Sequence, residues 1–73
     1  MKKYNEIIKE LRNDSDLKQE FIAKKLGITK QQYSLYETGQ RKFRVEHIVT
    51  LSILFNVSAD YILGLPDLPY PKR

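Results

Sequence analysis

The sequence contains no cysteine and a single histidine, His47. Without cysteine the chain can form neither a disulfide framework nor a thiolate metal site, and one histidine has no second imidazole with which to share a metal. We therefore expect no metal and no cofactor, and a reducing, cytoplasmic environment fits this composition. His47 is most simply interpreted as a solvated or partly packed helix residue.

The same shortage argues against an enzyme. Without cysteine the chain has no Cys–His nucleophilic set, and no glycine-rich phosphate-binding loop occurs. Long apolar runs are missing as well, since none approaches the roughly 18 residues that cross a bilayer. The first six residues, MKKYNE, lack the apolar stretch of an export signal. The sequence thus predicts a soluble protein that is not exported and has no membrane partner.

A chain of 73 residues has material for one modest hydrophobic core and hence for one domain. Its last nine residues carry three prolines within six positions, which forbids a helix and favours an extended segment. We predict a domain over residues 1–64 and a proline-rich tail over residues 65–73.

Apolar residues recur at helical spacing along the predicted domain. Tyr4, Ile7, Ile8 and Leu11 follow the i, i+3, i+4, i+7 pattern, for example. No segment alternates with the period of a strand, so the predicted fold class is all-α, a compact bundle of five helices. The predicted helices cover residues 4–12, 18–25, 30–38, 45–55 and 59–63. The predicted core is Ile7, Ile8, Leu11, Ile22, Ala23, Leu26, Ile28, Tyr33, Tyr36, Ile48, Leu51, Phe55, Val57 and Tyr61.

Residues 19–37 have the organisation of two short helices joined by a tight turn. Ala23 is expected where the helices cross at close range, which leaves room for little more than a methyl group. Gly27 is expected to turn the chain at positive φ, and Thr29 to cap the next helix. Each of these residues is common alone, but together they are specific.

The chain has 13 lysines and arginines against 9 acidic residues, a formal net charge of +4. This balance favours a polyanionic partner such as nucleic acid, although a solvated surface has the same composition. Basic residues concentrate in the loop from Gln40 to Arg44, where no neighbouring counter-charge is expected. Phe43 in that loop is predicted to point inward as its anchor.

Three blocks of the sequence resemble the Cro and phage-repressor type of helix-turn-helix domain, the XRE-like family. They are Gln19-x-x-x-Ala23-x-x-x-Gly27-Ile28, Glu37-x-Gly39-x-Arg41 and Val57-Ser58-x-Asp60-Tyr61-Ile62-Leu63-Gly64. The resemblance covers nearly the whole chain, from about Tyr4 to Gly64. It implies a lambda-repressor-like fold of five helices, in which the third helix enters the DNA major groove and the second crosses above the backbone.

Carried over residue by residue, the resemblance implies a DNA-contacting surface. Gln19 becomes a phosphate or base-edge contact at the start of the second helix. Base edges are assigned to the exposed start of the third helix, because glutamine can pair with adenine and lysine can donate to guanine. Phosphates are assigned to the basic loop. The predicted DNA-binding residues are Gln19, Thr29, Lys30, Gln31, Gln32, Ser34, Leu35, Gln40, Arg41, Lys42 and Arg44.

Three positions depart from the family pattern. Leu35 stands where the family usually has a polar residue, and it either packs on a thymine methyl group or turns back over Tyr36 or the basic loop. Phe21 and Ile53 also replace polar residues. They either pack incidentally against a neighbouring helix or the tail, or they belong to a partner surface.

The resemblance also implies internal contacts. Arg12, late in the first helix, is expected to pair with Glu37 at the end of the third, which neutralises a carboxylate that would repel DNA. Ser52 replaces an alanine that is common in the family and is expected to bond back to a helix carbonyl.

The predicted function is sequence-specific regulation of transcription, most simply repression. Repressors of this type bind two half-sites of a palindromic operator as dimers, so double-stranded DNA and a second copy are the predicted partners. The predicted dimer face consists of Ile53, Tyr61, Ile62, Leu65 and Leu68. An alternative stays open: an antitoxin or another protein-interaction module uses the same fold, and here the tail from Leu65 to Arg73 would bind the partner.

Overall fold

Five helices follow one another in the computed structural model, which describes residues 3–64. They are α1 (Tyr4–Asp14), α2 (Gln19–Leu26), α3 (Lys30–Glu37), α4 (Val45–Phe55) and α5 (Ala59–Leu63). No strand occurs within residues 3–64. The prediction of an all-α fold with five helices is therefore confirmed. The predicted tail lies outside the described residues, so its separation from the domain stays a prediction.

The predicted helix bounds agree best where capping signals are explicit. Bounds for α4 and α5 match, because Asn56 ends α4 in the left-handed region at φ 55° and the Ser58 hydroxyl accepts the N–H of Tyr61 at 3.0 Å. Helix α1 continues two residues beyond its predicted end. The chain turns only after it, where Asp16 adopts a φ of 57°.

The turn between α2 and α3 has the predicted geometry. Gly27 has a φ of 72°, and the N–H of Ile28 donates to the carbonyl of Ala23 at 3.0 Å, which closes a Schellman-type C-terminus. A Cβ atom at Gly27 would meet no atom within 4 Å. Glycine is therefore required for its backbone angle and not for space. Ala23, only 2% exposed, lies in the core as predicted.

The core collects side chains from α1 through α5. Its completely buried members are Ile8, Ile22, Tyr33, Leu51 and Ile62. The rotation of α5 corrects two predictions. Tyr61, predicted in the core, is 57% exposed, whereas Ile62, predicted on the dimer face, is completely buried. Apolar residues occupy three consecutive positions of this five-residue helix, so periodicity alone could not determine which one faces inward.

An aromatic cluster packs the loop between α3 and α4 against the core. Phe43 is 8% exposed, and its ring stacks on Tyr36 with the centroids 5.2 Å apart. The rings of Tyr4 and Tyr33 meet Phe43 edge to face at 6.1 and 6.0 Å. The prediction that Phe43 anchors the loop is confirmed. His47 is more buried than predicted, at 7% exposed, because its ring packs against Tyr36 and its Nδ1 accepts the N–H of Arg44.

None of the helices within residues 3–64 combines the length and the apolar character needed to span a membrane.

Candidate nucleic-acid interface

The exposed start of α3 is held by a reciprocal cap. The Thr29 hydroxyl accepts the N–H of Gln32 at 3.1 Å, and the Gln32 side-chain oxygen accepts the N–H of Thr29 at 2.9 Å. Two backbone donors that the helix itself cannot satisfy are thereby paired. The first turn of α3 is therefore preorganised by its own cap.

Four of the predicted site residues line one shallow depression: Gln19 of α2 and Lys30, Gln31 and Ser34 of α3. Gln32 lies instead in a different groove, which it shares with Tyr36, Arg44, Glu46 and His47 among others. The structure thus brings Gln19 together with three residues of α3 and separates Gln32 from them. A base contact by Gln32 stays a prediction, but its amide oxygen is already engaged in the cap.

Glu37, the last residue of α3, joins three helices through one carboxylate. Arg12 of α1 donates from Nε and Nη2, both at 2.8 Å, in a bidentate ion pair whose Arg12 and Glu37 side chains are only 12% and 2% exposed. Gln19 of α2 donates from Nε2 at 3.0 Å, and the Tyr33 hydroxyl donates to Oε2. The predicted pair of Arg12 and Glu37 is confirmed. Its carboxylate also orients Gln19, the residue at the edge of the depression.

These contacts shift the protonation equilibria of their members. Burial by itself raises the pKa of Glu37, but the hydrogen bonds from Arg12, Tyr33 and Gln19 outweigh it and hold that pKa below its usual value of 4.5. The hydrogen bond with Glu37 raises the pKa of Arg12. Burial and then the same carboxylate raise the pKa of Tyr33. The cluster therefore holds an ionised carboxylate and arginine beside a neutral tyrosine.

We expect this cluster to make the domain acid-sensitive. Because the folded-state pKa of Glu37 is depressed, its contribution to stability is complete above the unfolded value near 4.5 and is lost as pH falls through the folded pKa. Below pH 4.5, the urea midpoint should fall less steeply with decreasing pH in Glu37→Gln than in the wild type. Identical acid limbs in the two proteins would contradict the assignment.

The C-terminal end of α3 is fixed by a residue that the sequence analysis missed. Asn5 is 9% exposed and donates from Nδ2 to the carbonyl of Glu37 at 3.1 Å. The available signal was its phase, because Asn5 lies three positions before the buried Ile8 and seven before Arg12. A polar side chain on the buried face of a helix indicates a specific partner.

The basic loop divides between two grooves, and Arg44 lines the one that contains Gln32. Arg41 and Lys42 line a groove with Lys3 and the first residues of α1. Lys3 was not among the predicted site residues, since it precedes α1 and lies far from the loop in sequence. Gln40 is exposed and donates from Nε2 to the Thr38 hydroxyl at 3.2 Å. The groove therefore brings together three cationic side chains from two segments that are distant in sequence.

Arg44 corrects the expectation that the loop has no neighbouring counter-charge. Its Nη1 lies 3.8 Å from Oε1 of Glu46, and both side chains are largely exposed. Such a pair is weak and is screened by salt, so Arg44 remains available to an anion. Leu35 is half-buried, and its carbonyl accepts the N–H of Arg41 at 3.1 Å. Both interpretations of the Leu35 side chain stay open.

Among residues 3–64, no group of histidine, aspartate or glutamate side chains is arranged to hold a metal ion.

A family model described as "Helix-turn-helix" matches residues 8–62, which span all of α2 through α4 and most of α1 and α5. The chain belongs to the helix-turn-helix family. The resemblance to the Cro and phage-repressor type is thereby confirmed. Family membership also supports the expectation that the chain is not an enzyme.

Several curated proteins of Bacillus subtilis (strain 168) are similar to this helix-turn-helix chain. The uncharacterized HTH-type transcriptional regulator YobD is 42% identical over 69 residues, which cover 94% of this chain and 62% of that protein. The uncharacterized HTH-type transcriptional regulator YqaE is 37% identical, over 82% of this chain and 52% of that protein. The HTH-type transcriptional regulator ImmR is 39% identical, over 84% and 48%. The chain thus spans about half to three fifths of the length of these relatives. No solved structure matches it significantly.

Proposed function

We propose that this helix-turn-helix domain is cytoplasmic, binds double-stranded DNA in a sequence-specific manner and regulates transcription. The observation that carries the proposal is the capped start of α3, which presents Lys30, Gln31 and Ser34 beside Gln19 on one exposed surface. A preorganised helix end with polar side chains suits a major groove, which admits an α-helix and displays a distinct donor and acceptor pattern for each base pair. The relatives' names support a regulatory role.

Within this proposal, Lys30 and Gln31 contact base edges. Both are exposed, and neither side chain is part of the cap that holds α3. A glutamine amide can both donate to N7 and accept from N6 of adenine, and a lysine can donate to O6 and N7 of guanine. Gln19, oriented by Glu37, borders the same surface and supports these contacts from α2.

Phosphate contacts come from the edges of the surface. Arg41 and Lys42 share their groove with Lys3, and we add Lys3 to the predicted phosphate contacts on that ground. Gln40 and Arg44 complete the loop's contribution. These contacts supply affinity and register but no sequence information.

The finer proposal is repression through a palindromic operator bound by a dimer. An operator with two half-sites one helical turn apart matches a symmetric pair of α3 helices. Selection of binding sites from a random DNA pool tests sequence-specific binding and the symmetric dimer together. We expect an inverted repeat. Recovery of no enriched motif would reject sequence-specific binding, and a single unrepeated motif would reject the symmetric dimer.

Replacing Arg41 by alanine should weaken binding to the selected site and to random DNA alike. A lost phosphate contact reduces the slope of log K against log salt by about 1. Fluorescence anisotropy across a salt series measures that slope. Lys24→Ala is the matched control, because it removes one exposed positive charge from the last turn of α2, outside the proposed interface. Equal effects of the two variants would show that only net charge matters.

A further inference from the structure

The start of α2 is held by a different means from the start of α3. Lys18, at the N-cap position of α2, makes no side-chain hydrogen bond to the helix, whereas Thr29 and Gln32 cap α3 locally. The turn before α2 is instead bound from α1, because Nη1 of Arg12 donates to the carbonyl of Leu17 at 2.8 Å. The start of α2 therefore depends on contacts that are distant in sequence.

The Glu37 carboxylate determines which end of the Gln19 side chain faces inward. A carboxylate only accepts hydrogen bonds, so the amino end of the Gln19 amide must face it, and Nε2 lies 3.0 Å from Oε1 of Glu37. If the amide turned over, its carbonyl oxygen would face a carboxylate oxygen, and the two acceptors would repel each other. One N–H and the carbonyl oxygen of Gln19 then remain for contacts outside the cluster.

The carboxylate of Glu37 is itself held in one orientation. Arg12 donates to both of its oxygens, Tyr33 donates to Oε2, and the side chain of Glu37 is only 2% exposed. Asn5 also holds the backbone of this residue, through the Glu37 carbonyl. The side chain of Gln19, half-buried at the edge of the depression that it forms with α3, is thus bound to a fixed acceptor.

We propose that Glu37 is a positioning residue for DNA binding, which acts by holding the Gln19 amide so that its remaining N–H donates to an acceptor on DNA. The inference rests on the proposed function, since Gln19 borders the surface that we assign to DNA. A phosphate oxygen and a base atom such as N7 of a purine each accept one N–H. A donor that is already oriented forms this bond without losing rotamer freedom on binding. The buried ion pair then contributes to DNA binding as well as to stability.

A double-mutant cycle tests this role. Glu37→Gln keeps the size of the side chain but replaces one acceptor oxygen by a donor, so the Gln19 amide is no longer held with its amino end inward. In the full chain, Glu37→Gln should weaken binding to the duplex enriched by site selection by about fivefold, but by less than about twofold in a Gln19→Ala background. Affinities are compared at neutral pH and at a temperature where circular dichroism shows that each variant is folded. Equal losses in the two backgrounds would overturn the proposal.

A random duplex, measured in the same cycle, identifies the acceptor. A coupling between Glu37 and Gln19 that appears on both duplexes supports the proposal with a phosphate as the acceptor. A coupling that appears only on the selected duplex supports it with a base atom as the acceptor.

Two matched controls separate positioning from stability. Gln40 is exposed, and its Nε2 donates to the Thr38 hydroxyl instead of to Glu37. In a Gln40→Ala background, Glu37→Gln should therefore keep its effect of about fivefold. Tyr33→Phe removes a donor from Oε2 and leaves Oε1, the atom that holds Gln19, unchanged. It should lower stability but change DNA affinity by less than about twofold. A loss as large as that of Glu37→Gln would overturn the proposal, since destabilisation alone would then explain both.

Two measurements decide the proposal if Glu37→Gln does not fold. Gln19→Ala alone should weaken binding to the selected duplex by about fivefold. In NMR spectra of the free wild type, the side-chain amide protons of Gln19 should exchange with solvent at least about tenfold more slowly than those of the exposed Gln40. An unchanged affinity of Gln19→Ala, or equal exchange of the two amides, would overturn the proposal.

Binding by the wild type separates a failed positioning role from a failed function. If the wild type binds the selected duplex and Glu37 shows no coupling to Gln19, the positioning role is wrong and DNA binding stands. Absence of binding to either duplex by the wild type would reject the proposed function, and the positioning role with it.

Discussion

Replacing Glu37 by alanine should lower the free energy of unfolding by about 3–5 kcal/mol, the usual cost of removing one partner of a buried ion pair. The change leaves the guanidinium of Arg12 and the hydroxyl of Tyr33 without the carboxylate that both contact. A small domain has a total stability of roughly 5–15 kcal/mol, so the variant should be close to unfolding at ambient temperature. Urea denaturation followed by circular dichroism measures the change.

The chain offers a matched control for this prediction. Glu46 also pairs with an arginine, but its partner Arg44 is 3.8 Å away and both side chains are about 70% exposed. Glu46→Ala should therefore change the free energy of unfolding by less than about 1 kcal/mol. Similar losses in the two variants would mean that burial of the Glu37 pair does not determine its contribution.

Replacing Gln31 by alanine should cost about 1–3 kcal/mol of binding free energy on the selected DNA site and little on random DNA. The physical reason is the loss of two directional hydrogen bonds to one base, which random sequences do not reward. Competition binding with the selected site and with random duplexes gives both affinities. A base substitution at the contacted position should be tolerated better by the variant than by the wild type.

The neighbouring glutamine provides the comparison. Gln32→Ala makes the same substitution at the next position, where the side-chain amide oxygen caps α3. We expect it to lower stability by roughly 0.5–2 kcal/mol, as lost caps do, and to leave the ratio of specific to random affinity nearly unchanged. If Gln31→Ala loses equally on both kinds of DNA, its role as a base contact is wrong. If Gln32→Ala loses specificity, then Gln32 contacts a base as the sequence predicts.

Most of the fold was predictable because local signals and family resemblance agreed. The glycine at position 27 and the caps at Thr29 and Ser58 each define a helix end through backbone chemistry that the sequence states directly. The pair of Arg12 and Glu37 followed from resemblance, since no spacing rule links residues 25 positions apart. The sequence therefore determined which elements form and one of their long-range contacts.

The errors have a different physical origin. Rotation of α5 depends on tertiary packing, because Tyr61, Ile62 and Leu63 offer the core three apolar choices in a row. Which residues line the same groove depends on which segments of the chain meet in space. Lys3 was therefore missed, and Gln32 was grouped with Lys30 and Gln31 by sequence proximity alone. These are properties of the packed molecule, and a single sequence carries only weak signals for them.

The cap formed by Thr29 and Gln32 bears on how a new operator preference arises in this scaffold. The residues that hold the start of α3 in place are chemically distinct from Lys30 and Gln31, which face outward from it. Under the proposed function, substitutions at positions 30 and 31 therefore change the chemistry offered to DNA without removing the bonds that form the helix end. A library randomised at these two positions should therefore yield folded proteins at nearly the wild-type frequency.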